Sequence, residues 1–420
     1  MKTKLIQVFE YGSLYVDELY NNIKFENSHY IALSKLNILH NDKYFEIRHN
    51  GIKFKQFVGV IQVNGLVIEI LPKIDRYESE DKQNKMKWQK VLIEMLKVTK
   101  KLKIQQVGQA NISRQSIHLL DIYFEWFLNE VQLLIHQGLI KQYYKKTDNV
   151  KALKGKLEFA GHIQKNLVHK ERFYTTHQVY EKDHLVHQVL GQALDIIASL
   201  SKGTYLYSKC KTVQLGFPEV QSIKANESTF TKISTSRKTA PYKTALSIAR
   251  LIILNYAPNI SNGSEKMLAL LFDMNRLWEE YVLIKLKQAC QDKDIEIYGQ
   301  NSTSFWNTIS IRPDIVLKRK SENTITDVFI IDTKWKNIDQ SQPSTHDLRQ
   351  MYVYNEYWES KKSLLLYPSG KDEKTQFDQF QPLKNKEDHH RCGLGKISVL
   401  DEEGRLHGDL GHKILELFQE

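Results

Sequence analysis

Ile311-Arg312-Pro313-Asp314-Ile315-Val316-Leu317 is followed, after a polar turn, by Phe329-Ile330-Ile331-Asp332-Thr333-Lys334-Trp335-Lys336. Both are short apolar runs of strand length, rich in β-branched residues. An acid opens the first run, and an acid and a lysine sit two apart in the second. Side chains at i and i+2 of a strand share a face, so Asp332 and Lys334 project together. A hairpin through Lys320-Ser321-Glu322-Asn323 then brings Asp314 beside them. Two carboxylates and one ammonium at a sheet edge form a donor set able to hold a hard divalent cation, a water and a phosphate.

Around this pair the C-terminal third reads as helix, three strands, helix, strand. A helix is expected over 267–288, opening at Glu265, then strands over 295–300, 310–319 and 327–336. A helix over 345–359 follows, and a strand over 362–367 ended by Pro368-Ser369-Gly370. Mixed strands flanked by helices imply an α/β layered domain. Ala257-Pro258-Asn259-Ile260-Ser261-Asn262-Gly263-Ser264 is the clearest punctuation in the chain and sets a boundary there. Upstream, the apolar runs around Val58-Gly59-Val60-Ile61 and Leu66-Val67-Ile68-Glu69-Ile70-Leu71 flank Asn64-Gly65, a strong hairpin signal. Met1 to Glu10 reads as an opening strand, and 75–85 as a polar connection. Helical spacing recurs from Trp88 to Leu102, over 119–134, 181–197 and 245–256, with Lys151-Ala152-Leu153-Lys154-Gly155-Lys156-Leu157 as a basic turn. The expected division is a β-rich domain over 1–80, a mainly helical region over 81–262 and a catalytic domain over 263–420.

Composition narrows the class. The chain has 420 residues, 41% hydrophobic and 26% charged, enough for two or three domains with their own cores. Sixty Lys and Arg outweigh forty-nine Asp and Glu, a net charge of +11 that suits a polyanion partner. Three scattered cysteines, Cys210, Cys290 and Cys392, argue against a disulfide framework and suit a reducing compartment. No apolar run is long enough to span a bilayer and no signal-peptide core opens the chain, so a cytoplasmic location is expected. No GxxxxGK[ST] loop is present, so no nucleotide is expected to bind this chain itself.

Phosphodiester hydrolysis requires an activated water, neutralised phosphate charge and a stabilised leaving oxygen. Mg²⁺ contributes to each and commonly takes one or two carboxylates. Asp314 and Asp332 fit as its ligands, with the backbone carbonyl of Thr333 within reach, and Mn²⁺ as a substitute ion. Lys334 is placed to orient water and to offset charge on the phosphate. Asp372-Glu373-Lys374 and Glu359-Ser360-Lys361 share the acid-x-Lys spacing but lack a preceding apolar run, and the bland reading of all such triplets is a surface salt bridge. Glu279 and Glu280 lie adjacent on the first C-terminal helix. Asp347, Gln350 and Tyr354 form one polar stripe on the next. His389-His390-x-Cys392 is a weak zinc pattern, since adjacent histidines rarely ligate one ion.

Pro-Asp followed by Asp-x-Lys, with helices bearing Glu279 and Gln350, resembles the PD-(D/E)xK nuclease superfamily. Within it, Phe272-Asp273-Met274-Asn275-Arg276-Leu277-Trp278-Glu279-Glu280-Tyr281-Val282 resembles the helix that opens the nuclease domain of the McrC family, the cleavage subunits of modified-cytosine restriction systems. Ile311-Arg312-Pro313-Asp314, Ile331-Asp332-Thr333-Lys334-Trp335-Lys336 and Asp347-x-x-Gln350-Met351-Tyr352-x-Tyr354 follow the same family pattern in order, and Ile68-Glu69-Ile70-Leu71-Pro72-Lys73-Ile74 is similar too. Trp278 departs from it, standing where the family favours Phe. The resemblance implies a multidomain α+β chain, with an N-terminal β-rich and helical partner-binding region over 1–262 and a C-terminal α/β PD-(D/E)xK nuclease domain. It implies Asp314, Asp332 and Lys334 as the catalytic core, Glu279 as the helical acid and Gln350 as an accessory polar group. It also implies an McrB-type AAA+ GTPase ring as partner, stimulated by this chain, and double-stranded DNA containing modified cytosine as substrate. Two other readings are a non-cutting GTPase-activating adaptor on a nuclease-like fold, and a self-sufficient repair or RNA-processing nuclease.

Overall fold

The computed structural model describes residues 4–63, 65–74, 79–102, 118–258, 266–291, 293–321, 324–336, 342–381 and 390–418. Asn64, Glu322, Asn323, His389 and most of the 257–264 punctuation lie outside the described residues. Contacts group residues 111–270 as one unit, and residues 2–110 with 271–420 as a second.

In the second unit, Leu66–Leu71 is buried on both faces. It pairs parallel with Lys4–Phe9 and antiparallel with Phe57–Val63, which explains its unbroken apolar run. The one acid in that run, Glu69, accepts hydrogen bonds from Gln7 (2.9 Å) and Gln89 (2.7 Å). The expected hairpin and opening strand are therefore present. A helix over Asn27–Leu39 lies within this β-rich part, and Lys82–Val98 forms the next, with Trp88, Val91, Leu92, Met95 and Leu96 buried.

Among the described residues the C-terminal sheet has six strands. Their order is Ile295–Gly299, Ile315–Ser321, Thr324–Thr333, Lys362–Ser369, Arg391–Ser398 and Phe377–Gln379. Ile315–Ser321 and Thr324–Thr333 pair antiparallel, ending at Ile315↔Ile331. One step further, the register sets Asp314 across from Asp332. The next two strands run parallel, and their Leu364, Leu365 and Leu366 are fully buried. On one face the Thr345–Tyr357 helix packs Met351 and Tyr354 against Ile330, Leu365 and Tyr367. The Met274–Ala289 helix buries Leu277, Trp278, Tyr281 and Val282. It meets the Leu410–Glu416 helix so closely that a Cβ on Gly411 would stand 2.2 Å from the Lys285 carbonyl oxygen.

Three local expectations are corrected. Residues 267–273 are not helical: Lys266–Asp273 is a strand, and the helix opens at Met274. Asp273 sets that start, its Oδ1 accepting from the amides of Asn275 (3.0 Å) and Arg276 (3.4 Å). The strand begun at Lys362 runs through Pro368 to Ser369. Its neighbour stops at Thr333↔Leu366, so the missing proline amide faces no partner strand. Ser310 belongs to a separate ribbon, Thr303–Trp306 paired with Ile309–Ile311.

In the 111–270 unit the long helices are Leu119–Gln137, Leu185–Leu200, Tyr205–Gly216 and Lys243–Leu254, with shorter ones at Phe159–Asn166 and Glu227–Thr231. The second begins at Leu185 rather than 181 because Glu181 ends a strand. This region is less purely helical than expected. Gln142–Val150 and Phe173–Glu181 pair antiparallel over nine residues each. The basic turn at 151–157 leads into Lys156–Leu157, which joins that ladder. Gly155 makes the turn at a left-handed φ of 68°, where a Cβ would meet the Thr176 carbonyl oxygen at 2.4 Å.

Candidate active site

Asp314 leads into its strand, and its Oδ2 accepts from the Thr333 amide (2.7 Å) and hydroxyl (2.9 Å). Those two donors, on the partner strand, hold the carboxylate in place. Asp332 and Lys334 share a face as their spacing requires, with Lys334 Nζ 2.7 Å from Asp332 Oδ2. The Lys334 amide donates to the Leu366 carbonyl (2.9 Å), which ties the strand end to the parallel neighbour.

The polar stripe of the Thr345–Tyr357 helix faces this site. Gln350 Nε2 donates to Asp332 Oδ1 (3.4 Å) and to the Tyr354 hydroxyl (2.7 Å). That hydroxyl donates to the Arg312 carbonyl (3.0 Å), bracing the Arg312-Pro313-Asp314 entry. Ser344 caps the helix through the Asp347 amide (3.0 Å). Asp347 stands between two lysines, 3.5 Å from Lys334 and 3.2 Å from Lys336. Asp347 was read only as part of a stripe. The alternation Lys334-x-Lys336 opposite a first-turn acid was the available signal for its pairing.

The two adjacent glutamates separate cleanly. Glu280 pairs with Lys101 (2.8 Å) and Arg276 (3.5 Å). Glu279 instead accepts from Gln300, whose amide donates to the Asp314 carbonyl (2.8 Å), and its charge acts on Asp314. Glu279 is the site-facing acid.

Charge is poorly compensated here. Burial, reinforced by Glu279, pushes the Asp314 carboxyl up to about 6. Burial, reinforced by Asp314, does the same to Asp332. Burial and the adjacent Glu280 also raise Glu279. Lys334 is raised because its carboxylate partners outweigh burial. Asp347 stays depressed because Ser344 and the lysines outweigh burial. Asp314 and Asp332, with Glu279 acting on Asp314, thus share Lys334 as their close ammonium. A divalent cation between Asp314 and Asp332 would relieve that excess. Among the described residues no group of three or more His, Cys, Asp or Glu is placed to hold a metal ion. Thr333 is engaged through its amide and hydroxyl with Asp314. His390 lies 3.9 Å from Glu356.

Sequence reasoning missed the support behind Lys334. Trp335, the next residue, packs at a tilt on Trp278, 5.4 Å between ring centroids, and donates from Nε1 to Glu10 (2.7 Å). Trp278 thereby keeps a packing role, and it is fully buried.

The fold has known counterparts. The McrC-bound half-complex from the tetradecameric assembly of Thermococcus gammatolerans McrB AAA+ hexamers matches at a TM-score of 0.68 and 17% identity, covering 99% of both chains. The Thermococcus gammatolerans McrBC complex matches at a TM-score of 0.50 and 18% identity, over 67% of this chain and 87% of that one. In sequence, the type IV methyl-directed restriction enzyme EcoKMcrBC of Escherichia coli K12 is 23% identical over 288 residues, 63% of this chain and 81% of the relative. The fold is thus shared with these restriction-system proteins. The profile of the McrBC 5-methylcytosine restriction system component matches residues 52–368, more than half of the chain, and the chain belongs to that family. Among the described residues no helix is long and apolar enough to cross a membrane.

Proposed function

We propose that the chain is the DNA-cleaving subunit of a modified-cytosine, GTP-dependent restriction system. It works with an McrB-type AAA+ ring whose GTPase it stimulates through residues within 1–262. The observation that carries this reading is the convergence of Asp314, Asp332 and Lys334 at the ends of two adjacent interior strands, with Lys334 2.7 Å from Asp332. Asp314 and Asp332 would hold Mg²⁺, or Mn²⁺ in its place. The bound ion supplies charge neutralisation at the phosphate and a more acidic water.

The chain's own groups do the rest. Lys334 presents a positive charge where the phosphate gains negative charge. Glu279 and Gln350 flank the two aspartates and orient water and substrate by hydrogen bonding. Tyr354 fixes the Asp314 entry through Arg312. An excess of basic over acidic residues, +11 overall, supports a nucleic-acid substrate. The adaptor reading would permit loss of a site residue, and the complete acid, acid, lysine set counts against it.

Asp332→Ala, assembled with its GTPase partner, tests the reading. Cutting of modified duplex should disappear while assembly and GTP turnover persist. Undiminished cutting removes Asp332 from the chemistry.

A further inference from the structure

The ribbon that leads into Asp314 ends in exposed aromatics. Thr303–Trp306 pairs antiparallel with Ile309–Ile311, and Trp306 lies opposite Ile309 in register. The turn passes through Asn307 at a left-handed φ of 49°. Trp306 is 68% exposed and Ile309 51%, so two large apolar side chains stand together at the tip. The root is fixed by contrast. Trp358 Nε1 donates to Asn301 Oδ1 (2.8 Å), Phe305 packs on Tyr357 at 5.5 Å between centroids, and Gln300 binds the Asp314 carbonyl (2.8 Å). The next residue after the ribbon is Arg312, exposed and close enough to act on the Glu279 carboxylate.

We propose that this ribbon is a DNA-engaging wedge, its Trp306–Ile309 tip seated in a groove of the duplex against the bases beside the bond to be cut. The inference rests on the nuclease reading of the adjoining site. A two-stranded ribbon fits a DNA groove, and apolar side chains inserted there unstack bases. Aromatic faces bind bases regardless of sequence, which suits a cutting subunit that leaves base choice to another component. Three features favour DNA over a protein partner. The chain runs without interruption from the tip into the catalytic edge. The ribbon is anchored to the helix bearing Gln350 and Tyr354. The cation between tip and site is an arginine suited to phosphate.

The test uses the full-length chain carrying Asp332→Asn, so that duplex stays intact, titrated with fluorescent duplex DNA. Adding Trp306→Ala should weaken binding about tenfold, Ile309→Ser less, while Trp306→Phe retains most of it. The loss factor should hold as salt rises, because stacking releases no counterions. Sedimentation of the same variants, with and without the GTPase partner, should be unchanged. Equal affinity in all variants overturns the wedge. So does altered self-association or partner assembly with DNA affinity preserved, which would make the tip a protein interface. Failure of the nuclease reading itself looks different: the unaltered chain with its partner then fails to cut duplex under any divalent metal.

Discussion

The indole Nε1 of Trp335 donates a 2.7 Å hydrogen bond to Oε1 of Glu10, joining residues 325 positions apart in the chain. The same oxygen accepts from the Lys73 amide (3.0 Å), while Oε2 is buried without a hydrogen bond. Glu10 follows the first strand and Trp335 follows Lys334. Glu10 therefore holds the residue that follows the candidate lysine, within the unit formed by residues 2–110 and 271–420. Trp335→Phe keeps the packing on Trp278 but removes one of the two hydrogen bonds to the buried Glu10 Oε1, at a cost of roughly 1 kcal/mol. Chemical denaturation should show that loss, and cleavage should fall with it as Lys334 loses its fixed setting.

Glu10 also predicts a pH dependence. Burial pushes its carboxyl up to about 7. A folded-state value above the unfolded one means this group's contribution is fully present below about 4.5 and is lost as pH rises through about 7. Glu10→Gln removes the titration. The melting-temperature difference, variant minus parent, should therefore grow steadily more positive between pH 5 and pH 8. A difference independent of pH would show that Glu10 is not proton-linked to folding.

The two aspartates work in the same direction. Each is raised to about 6, so in chelator their stabilising protonation is present below about 4 and is lost as pH rises through about 6. Mg²⁺ should therefore raise the melting temperature at pH 7.5 and do little at pH 5. Asp332→Asn should melt higher than the parent in chelator at pH 7.5 and show a smaller magnesium shift. Chelator should also stop cleavage, with Mg²⁺ or Mn²⁺ restoring it.

Tyr354→Phe removes two hydrogen bonds, from Gln350 (2.7 Å) and to the Arg312 carbonyl (3.0 Å), without changing the ring. Stability should drop by about 1 kcal/mol. Cleavage should drop several-fold with little change in duplex affinity, because the hydroxyl braces Asp314 and does not meet DNA. A loss confined to affinity would place Tyr354 at the DNA surface instead.

What the sequence disclosed follows the range of the forces involved. The period-2 placement of Asp332 and Lys334 is local, and the Asn64-Gly65 signal between apolar runs pointed to the observed pairing of Phe57–Val63 with Leu66–Leu71. Met267-Leu268-Ala269-Leu270-Leu271-Phe272 was read as helix because those residues favour helices and an unbroken apolar run carries no period. The cap at Asp273 was the cue that the helix began later. The strands Gln142–Val150 and Phe173–Glu181 carry little sequence signal because the first is largely exposed and the second mostly half-buried, neither with a buried alternating face, and a helix separates them. The Glu10–Trp335 bond lies beyond any local pattern.

Lys334 sits between two carboxylates, 2.7 Å from Asp332 and 3.5 Å from Asp347, and the second should govern where the ammonium points. Lys334→Met should lower cleavage by roughly 10²–10³-fold, the scale of removing one charge-stabilising donor. Asp347→Asn leaves the lysine paired to Asp332 but frees its other side, so a smaller loss of about tenfold is expected. Asp347 is depressed because its hydrogen bond to Ser344 and the lysines outweigh burial. Its stabilising contribution is thus present above about 4 and fades as pH falls through its lowered value. The variant should lose stability at pH 7 and converge with the parent under acid. The double variant should cut no worse than Lys334→Met alone, because Asp347 acts through that lysine. A full further tenfold loss would give Asp347 a role of its own at the phosphate or its water.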